Sequence, residues 1–210
     1  MTTIALFGGT GRTGVRVRDR ALAAGFDVRL LARNPSVAFI PHERLTVITG
    51  DVLDPRSVEE TVSGADAVIS VFGQVKGSPA TLQTEGTRVI VDAMQRLGIH
   101  RIITLSGGGL RDSHDRPKLA DRVITLALKT LAGKVLADAE GHLQVLADSG
   151  LDWTVVRGPR LTERPGLGAY RVGWVGVDTG TQISRDDLAD FILTQVNDRQ
   201  FVHALPFVSA

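Results

Sequence analysis

The chain has no cysteine, which excludes disulfides, thiolate metal sites and a cysteine nucleophile. Neither sign of charge is in excess. Against 24 Lys and Arg stand 23 Asp and Glu, a formal net charge of +1. Bulk electrostatics therefore provide no reason to bind nucleic acid or an anionic membrane, and neither is expected as a partner. Long hydrophobic runs are missing too. The longest, around residues 123–131, is interrupted by Lys129 and is too short to cross a bilayer. The five histidines show no H-E-x-x-H or comparable ligand spacing, so no metal is expected. Met1-Thr2-Thr3 leads straight into an apolar run without a basic region, so no export signal is read and a cytoplasmic location is expected. Aromatics are scarce at 5%, whereas glycine is plentiful, with 23 in 210 residues. At 43% hydrophobic, this length suits one substantial core better than two, so one domain is expected over 1–210, with a small C-terminal substrate region.

The apolar residues come in short runs rich in Val and Ile, at 4–7, 28–32, 45–49, 67–71, 102–105 and 153–156. Each is apolar almost throughout, the pattern of a parallel strand covered on both faces. Helical patterns lie between them at 15–24, 55–62 and 84–97, and further ones are read at 117–132 and 136–148. Asp54 before Pro55 forms an N-cap with proline at the first helical position. Gly25 and Gly98 occupy helix C-terminal positions. Ser184 with Asp187 has capping-box spacing ahead of Leu188, Phe191 and Ile192. Strands alternating with helices predict an α/β fold, a doubly wound parallel sheet with right-handed crossovers.

One motif carries chemistry. Gly8-Gly9-Thr10-Gly11-Arg12-Thr13-Gly14 stands directly between the first strand and the first helix. A strand that must turn sharply, bring backbone amides against a pyrophosphate and pack a helix close to the sheet needs glycine at these places. The diphosphate then lies on the helix N-terminus, where free N–H groups and the helix dipole favour negative charge. This context makes the segment a dinucleotide-binding turn of the Rossmann type. At the end of the second strand a carboxylate would accept from the ribose 2′-hydroxyl of NADH, but Arg33 stands there instead. A guanidinium holds a 2′-phosphate bidentately, and Arg12 can reach the same group from the other side, so NADPH is expected over NADH. Asp51, followed by Val52, either accepts from the adenine amino group or caps the next turn. Ser70, Phe72 and Gly73 end the fourth strand beside the cofactor, with Gly73 serving either close backbone approach or a turn.

Taken with Ser106 and the segment Ser149-Gly150-Leu151-Asp152-Trp153-Thr154-Val155-Val156-Arg157, these residues resemble the atypical short-chain dehydrogenases/reductases of the NAD(P)H-binding family, flavin and biliverdin-IXβ reductases among them. The likeness runs over nearly the whole chain. It implies an NADPH-dependent reductase with the nicotinamide near Ser106 and the Arg157-Gly158-Pro159 turn, and it makes Ser106 the active-site hydroxyl. Where relatives place proline directly after that arginine, this chain interposes Gly158. The Tyr-x-x-x-Lys pair of typical short-chain dehydrogenases is absent, because four residues beyond the lone tyrosine, Tyr170, stands Trp174. Alcohol–ketone chemistry needs a positioned acid, so a flavin, quinone or linear tetrapyrrole, which disperses the incoming charge over a conjugated system, is the expected acceptor. The same absence also suits a redox-sensing regulator that binds NADP(H) without turnover. A sugar-nucleotide epimerase-like reading is weaker, since it too wants the tyrosine.

Candidates for the acceptor site are His114, Tyr170 and Trp174. The two aromatics are either plates for a flat ring or ordinary packing, and His114 is either at the substrate mouth or a solvated loop residue. Trp153 reads as core and His142 as a surface helix residue. The apolar helix at 123–131 reads as core, lid or subunit contact. Oligomeric state is not legible.

Overall fold

Six apolar runs become six parallel strands. The computed structural model describes residues 2–35, 41–75, 77–117, 132–177 and 179–210. It places strands β1 (Thr3–Phe7), β2 (Asp27–Ala32), β3 (Leu45–Thr49), β4 (Ala67–Ser70), β5 (Arg101–Gly107) and β6 (Asp152–Gly158) where the alternation predicted them. Helices α1 (Arg12–Ala23), α2 (Pro55–Val62), α3 (Leu82–Leu97), α4 (Gly133–Ala147) and α5 (Arg185–Thr194) cover the sheet. The helix read at 117–132, including the apolar stretch 123–131, lies outside the described residues except at its two ends.

Strand order is β3-β2-β1-β4-β5-β6, the doubly wound Rossmann arrangement. Period two divides each strand between two cores. Ala5 and Phe7 of β1 face the cluster built with Val58, Ile90 and Met94 of α2 and α3 and Leu146 of α4. Ile4 and Leu6 face the other, with Val17 and Ala21 of α1 and Leu188 and Ile192 of α5. Because both faces of the central strands β1 and β4 are covered, neither has an exposed side and their runs read as continuous, whereas β3 at the sheet edge leaves Thr46 and Thr49 exposed.

Local signals hold at the helix ends. Asp54 accepts from the amides of Arg56 and Ser57 at 3.3 and 3.1 Å, and Gly98 closes α3 in the left-handed region at φ 70°. The Ser184 hydroxyl accepts from the Asp187 amide at 2.9 Å. Asp187 does not return the bond to the backbone of Ser184. Its carboxylate accepts instead from the Leu167 and Gly168 amides, fastening the preceding loop to α5.

Four three-residue strands were not anticipated. β7 (Arg160–Thr162) pairs with β9 (Gln182–Ser184) in a separate two-stranded sheet. β10 (Phe207–Ser209) adds to β6 in parallel, and β8 (Arg171–Gly173) follows antiparallel to β10. The sheet therefore has eight strands. Three residues are too few to display a period of two, so only the neighbouring strand defines them.

His142 corrects the surface placement expected for it: it is 2% exposed. Its ring lies between α3 and β5, with Nδ1 2.7 Å from Thr87 Oγ1 and Nε2 3.1 Å from Thr104 Oγ1. Burial lowers its pKa from the ordinary 6.5 to about 4, only partly countered by the Asp138 charge. The fold thus holds the neutral ring, while the unfolded chain protonates first. Stability is complete above the unfolded value and declines as pH falls from about 6.5 to about 4. Between pH 6.5 and 5 the loss from this residue is expected to be about 2 kcal/mol. Urea denaturation across that interval measures it, and His142→Gln should flatten the slope; an unchanged slope in the variant refutes the assignment.

Candidate functional site: the glycine turn and the cavity at the carboxyl edge

The turn after β1 is built by exclusion of side chains. Gly8 has φ 81°, and a Cβ there would lie 2.5 Å from the Phe72 amide nitrogen. A Cβ on Gly14 would lie 2.7 Å from the Gly8 carbonyl carbon and closer still to its oxygen. β1, the strap after β4 and the first turn of α1 therefore meet backbone to backbone. Gly11 is the N-cap of α1 and supplies no side chain to its free amides. An open helix N-terminus in a cradle without Cβ atoms fits a dinucleotide's bridging phosphates.

Around this turn the charges are ordered. Arg33 directly follows β2 and is exposed, its side chain making no hydrogen bond or ion pair among the described residues. Arg12 opens α1 with its side chain 76% exposed and its guanidinium 3.5 Å from Glu163. Glu163 also takes Arg16 at 2.9 Å and Arg185 at 2.8 Å. The Arg185 hydrogen bond, ahead of the surrounding positive charge, holds the Glu163 carboxyl below its ordinary range. Arg185 further donates to Thr13 Oγ1 at 2.8 Å, so the first residue of α5 braces the first turn of α1. The motif reading had not anticipated this contact.

Asp51 realises its turn-capping role: Oδ1 accepts from the Leu53 amide at 2.9 Å, and the other oxygen makes no hydrogen bond among the described residues. Val52 and the Phe72 ring pack on the core formed with α2 and α3. Ser70 is buried, in register with Phe7 and Thr104, and Gly73 is exposed. All stand at the carboxyl edge of the sheet, where doubly wound folds bind ligands.

At the ends of β5 and β6 a cavity of about 490 Å³ opens, lined by Ser106 to Leu110, Val135 and Leu136 of α4, Gly158 to Arg160, Val175 and Phe207, with Gln83 among the few polar groups. Register places Ser106 opposite Arg157 and Gly107 opposite Gly158. Ser106 is 6% exposed, and its Oγ is a buried atom without a hydrogen-bond partner. A buried hydroxyl left unsatisfied is costly unless a ligand completes it. Gln83 Nε2 donates to the Phe72 carbonyl at 3.3 Å. The first turn of α3, which carries Gln83, is capped from α4: Asp138 accepts from the Gln83 and Thr84 amides, both at 2.9 Å. Nothing in the local sequence marks Gln83, because its cap lies 55 residues away.

Arg157, expected beside the nicotinamide, is not among the residues that line the cavity. Its side chain is 0% exposed and locked to Asp115 by two bonds of 2.8 and 2.9 Å. Burial alone would raise the Asp115 carboxyl, but hydrogen bonds from Arg157, Asp112 and Val175 lower it below the ordinary value. One signal was available: an arginine inside a strand apolar on both faces must bury its charge and find a carboxylate. Gly158 and Pro159 do reach the cavity.

Tyr170 does not line the cavity. It packs edge-on against Phe191 at 5.9 Å on the α5 side, the packing alternative. His114 and Trp174 come together, stacked at 4.6 Å, with His114 Nδ1 2.7 Å from Asp112. Neither is among the residues that line the cavity, although Val175, next to Trp174, is. Among the described residues no group of three or more His, Asp or Glu could hold a metal ion, and no helix is long and apolar enough to cross a membrane.

A profile of NAD(P)H-binding proteins matches residues 8–199. The chain belongs to the NAD(P)H-binding family. The UPF0659 protein C216.03 of Schizosaccharomyces pombe is 28% identical over 222 residues, covering 97% of this chain and 87% of that protein. Among solved structures, a short-chain dehydrogenase/reductase from Veillonella parvula in complex with NADP superposes with a TM-score of 0.80 at 22% identity, over 100% of this chain and 94% of that one. ChuY, an anaerobillin reductase from Escherichia coli O157:H7, gives 0.78 at 19% identity, over 100% and 97%. At these identities the two structures speak for the fold. Cinnamoyl-CoA reductase 1 of Oryza sativa is 30% identical over 116 residues, but this chain spans only 34% of its length.

Proposed function

We propose that this NAD(P)H-binding protein is an NADPH-dependent reductase whose acceptor is a flat conjugated molecule: a flavin, a quinone or a linear tetrapyrrole. NADPH supplies a hydride when bound. The residues Gly8 to Gly14 would hold its diphosphate, and Arg33 with Arg12 its 2′-phosphate. The observation that carries the reading is the cavity itself, largely apolar and lined by Ser106, whose buried hydroxyl has no hydrogen-bond partner among the described residues. Such a site orients flat rings and excludes water but offers no strong acid. Tyr170, the lone tyrosine, packs against Phe191, and burial raises its pKa, so no phenol is poised at the cavity to protonate a carbonyl. Acceptors that disperse charge need none. The resemblance to flavin and biliverdin-IXβ reductases supports the same class, and the anaerobillin reductase shares the fold.

The test is loss of reduced-nicotinamide absorbance when NADPH is mixed with FMN, menadione or biliverdin. Turnover with at least one is expected. Ser106→Ala should reduce acceptor kcat/KM by about tenfold, the worth of one hydrogen bond at a buried site, with NADP⁺ affinity reduced less. Tight NADP⁺ binding without turnover of any acceptor, combined with capture of a partner protein, would instead favour a redox-sensing protein.

A further inference from the structure

We propose that the buried Arg157–Asp115 pair is a positioning device for the acceptor cavity: it sets the shape of one wall, and with it acceptor affinity, without contributing to cofactor binding. Asp115 Oδ1 accepts from Arg157 Nη2 and from the Val175 amide, each at 2.9 Å. Its Oδ2 accepts from Arg157 Nη1 and from the Asp112 amide, each at 2.8 Å. Arg157 also donates to the Leu110 carbonyl at 2.7 Å and the Leu205 carbonyl at 2.8 Å, and its guanidinium lies 5.8 Å from the centre of the Phe207 ring. Leu110, Val175 and Phe207 all face the cavity. They come from three stretches of chain that also meet along their backbones, where the Arg116 amide donates to the Val175 carbonyl at 2.8 Å and β8 pairs with β10, and the buried pair ties all three to one point. The carboxylate has used both oxygens in two directions each, a geometry that glutamate or asparagine cannot reproduce without moving one wall. The glycine turn and Arg33 lie on other elements and receive nothing from the pair.

This inference rests on the reductase reading for its kinetic arm and on the structure alone for its second. In the kinetic arm, Asp115→Asn is expected to raise KM for menadione about tenfold or more, with kcat within about threefold and NADP⁺ Kd within about twofold. The variant leaves Arg157 buried without its partner, so a second variant carries both changes, Arg157→Met with Asp115→Leu, which removes the uncompensated charge. Thermal stability should recover in the double variant while KM stays high, a separation that a merely structural role would not produce. The second arm needs no turnover. Amide hydrogen exchange should show 108–117 and 173–177 losing protection together in Asp115→Asn, while 3–23 is unchanged. Recovery of KM in the double variant, a change in NADP⁺ Kd as large as that in KM, exchange in only one of the two segments, or failure of both variants to fold would each overturn the proposal. Absence of turnover in the unaltered protein would defeat the reductase reading and leave the exchange arm to decide this one.

Discussion

Arg33→Ala is expected to weaken NADP⁺ binding by about tenfold to a hundredfold and to leave NAD⁺ binding within about twofold. A hydrogen bond to a charged group is worth roughly 1.5–3 kcal/mol, and every 1.4 kcal/mol is tenfold in affinity. Arg33 is exposed at the carboxyl end of β2 and has no partner among the described residues to give up. Its full interaction is therefore available to the 2′-phosphate. Arg12 differs: its guanidinium is already 3.5 Å from Glu163, so a phosphate must compete with a carboxylate. Arg12→Ala should cost less, about threefold to tenfold. Isothermal titration of the unaltered protein and both variants with both dinucleotides, at one fixed salt concentration, measures all six affinities, since screening alters such contacts. Equal losses for NAD⁺ and NADP⁺ would remove Arg33 from cofactor selection.

The second large effect is at Gly14. Alanine there would drive a methyl group into the Gly8 carbonyl, which is backbone and cannot swing aside. Either α1 lifts from β1 or the turn opens, and both move the amides that would hold a diphosphate. Dinucleotide binding should fall by more than about a hundredfold, with overpacking costing roughly 3 kcal/mol of stability, near ten degrees in Tm for a chain of this size. Gly11→Ala is the control. Its φ of −80° suits any residue, and the nearest atom to an added Cβ, the Gly8 oxygen, is 3.3 Å away. Tm should change by a few degrees at most, while binding still drops because the added methyl group would occupy the approach to the helix N-terminus. If Gly14→Ala binds NADP⁺ normally, the glycine turn is not the phosphate cradle.

Much of this was legible along the chain because the signals are local. A parallel strand covered on both faces reads as an apolar run, and the six main strands were found where such runs stood. Caps at Asp54, Gly98 and Ser184 depend on residues within one turn of each other and were equally readable. The glycine turn is local as well, since its requirement is the absence of side chains at four places within seven consecutive residues.

What misled the reading was every case in which a polar side chain's role depends on a distant partner. Arg157 stands next to the cavity in register, yet its guanidinium turns to Asp115, 42 residues away. His142 sits among Asp138 and Glu140 on a helix that looks half polar, but it faces Thr87 and Thr104 across 55 and 38 residues. Helix periodicity says which residues share a side and not which side is inward when the pattern is weak. Tyr170 and Trp174, four residues apart, separate onto Phe191 and His114.

The order of amino acids alone therefore decides that strands and helices alternate, that the six main strands run parallel, and that the first turn admits backbone against phosphate. Folding in three dimensions decides which charges are buried, which three-residue segments become strands, and what lines the space beyond Ser106. The division has one physical cause. Backbone sterics and apolar periodicity act between neighbours in sequence, whereas desolvating a charge or closing a cavity is settled by groups that only the folded chain brings within hydrogen-bonding distance.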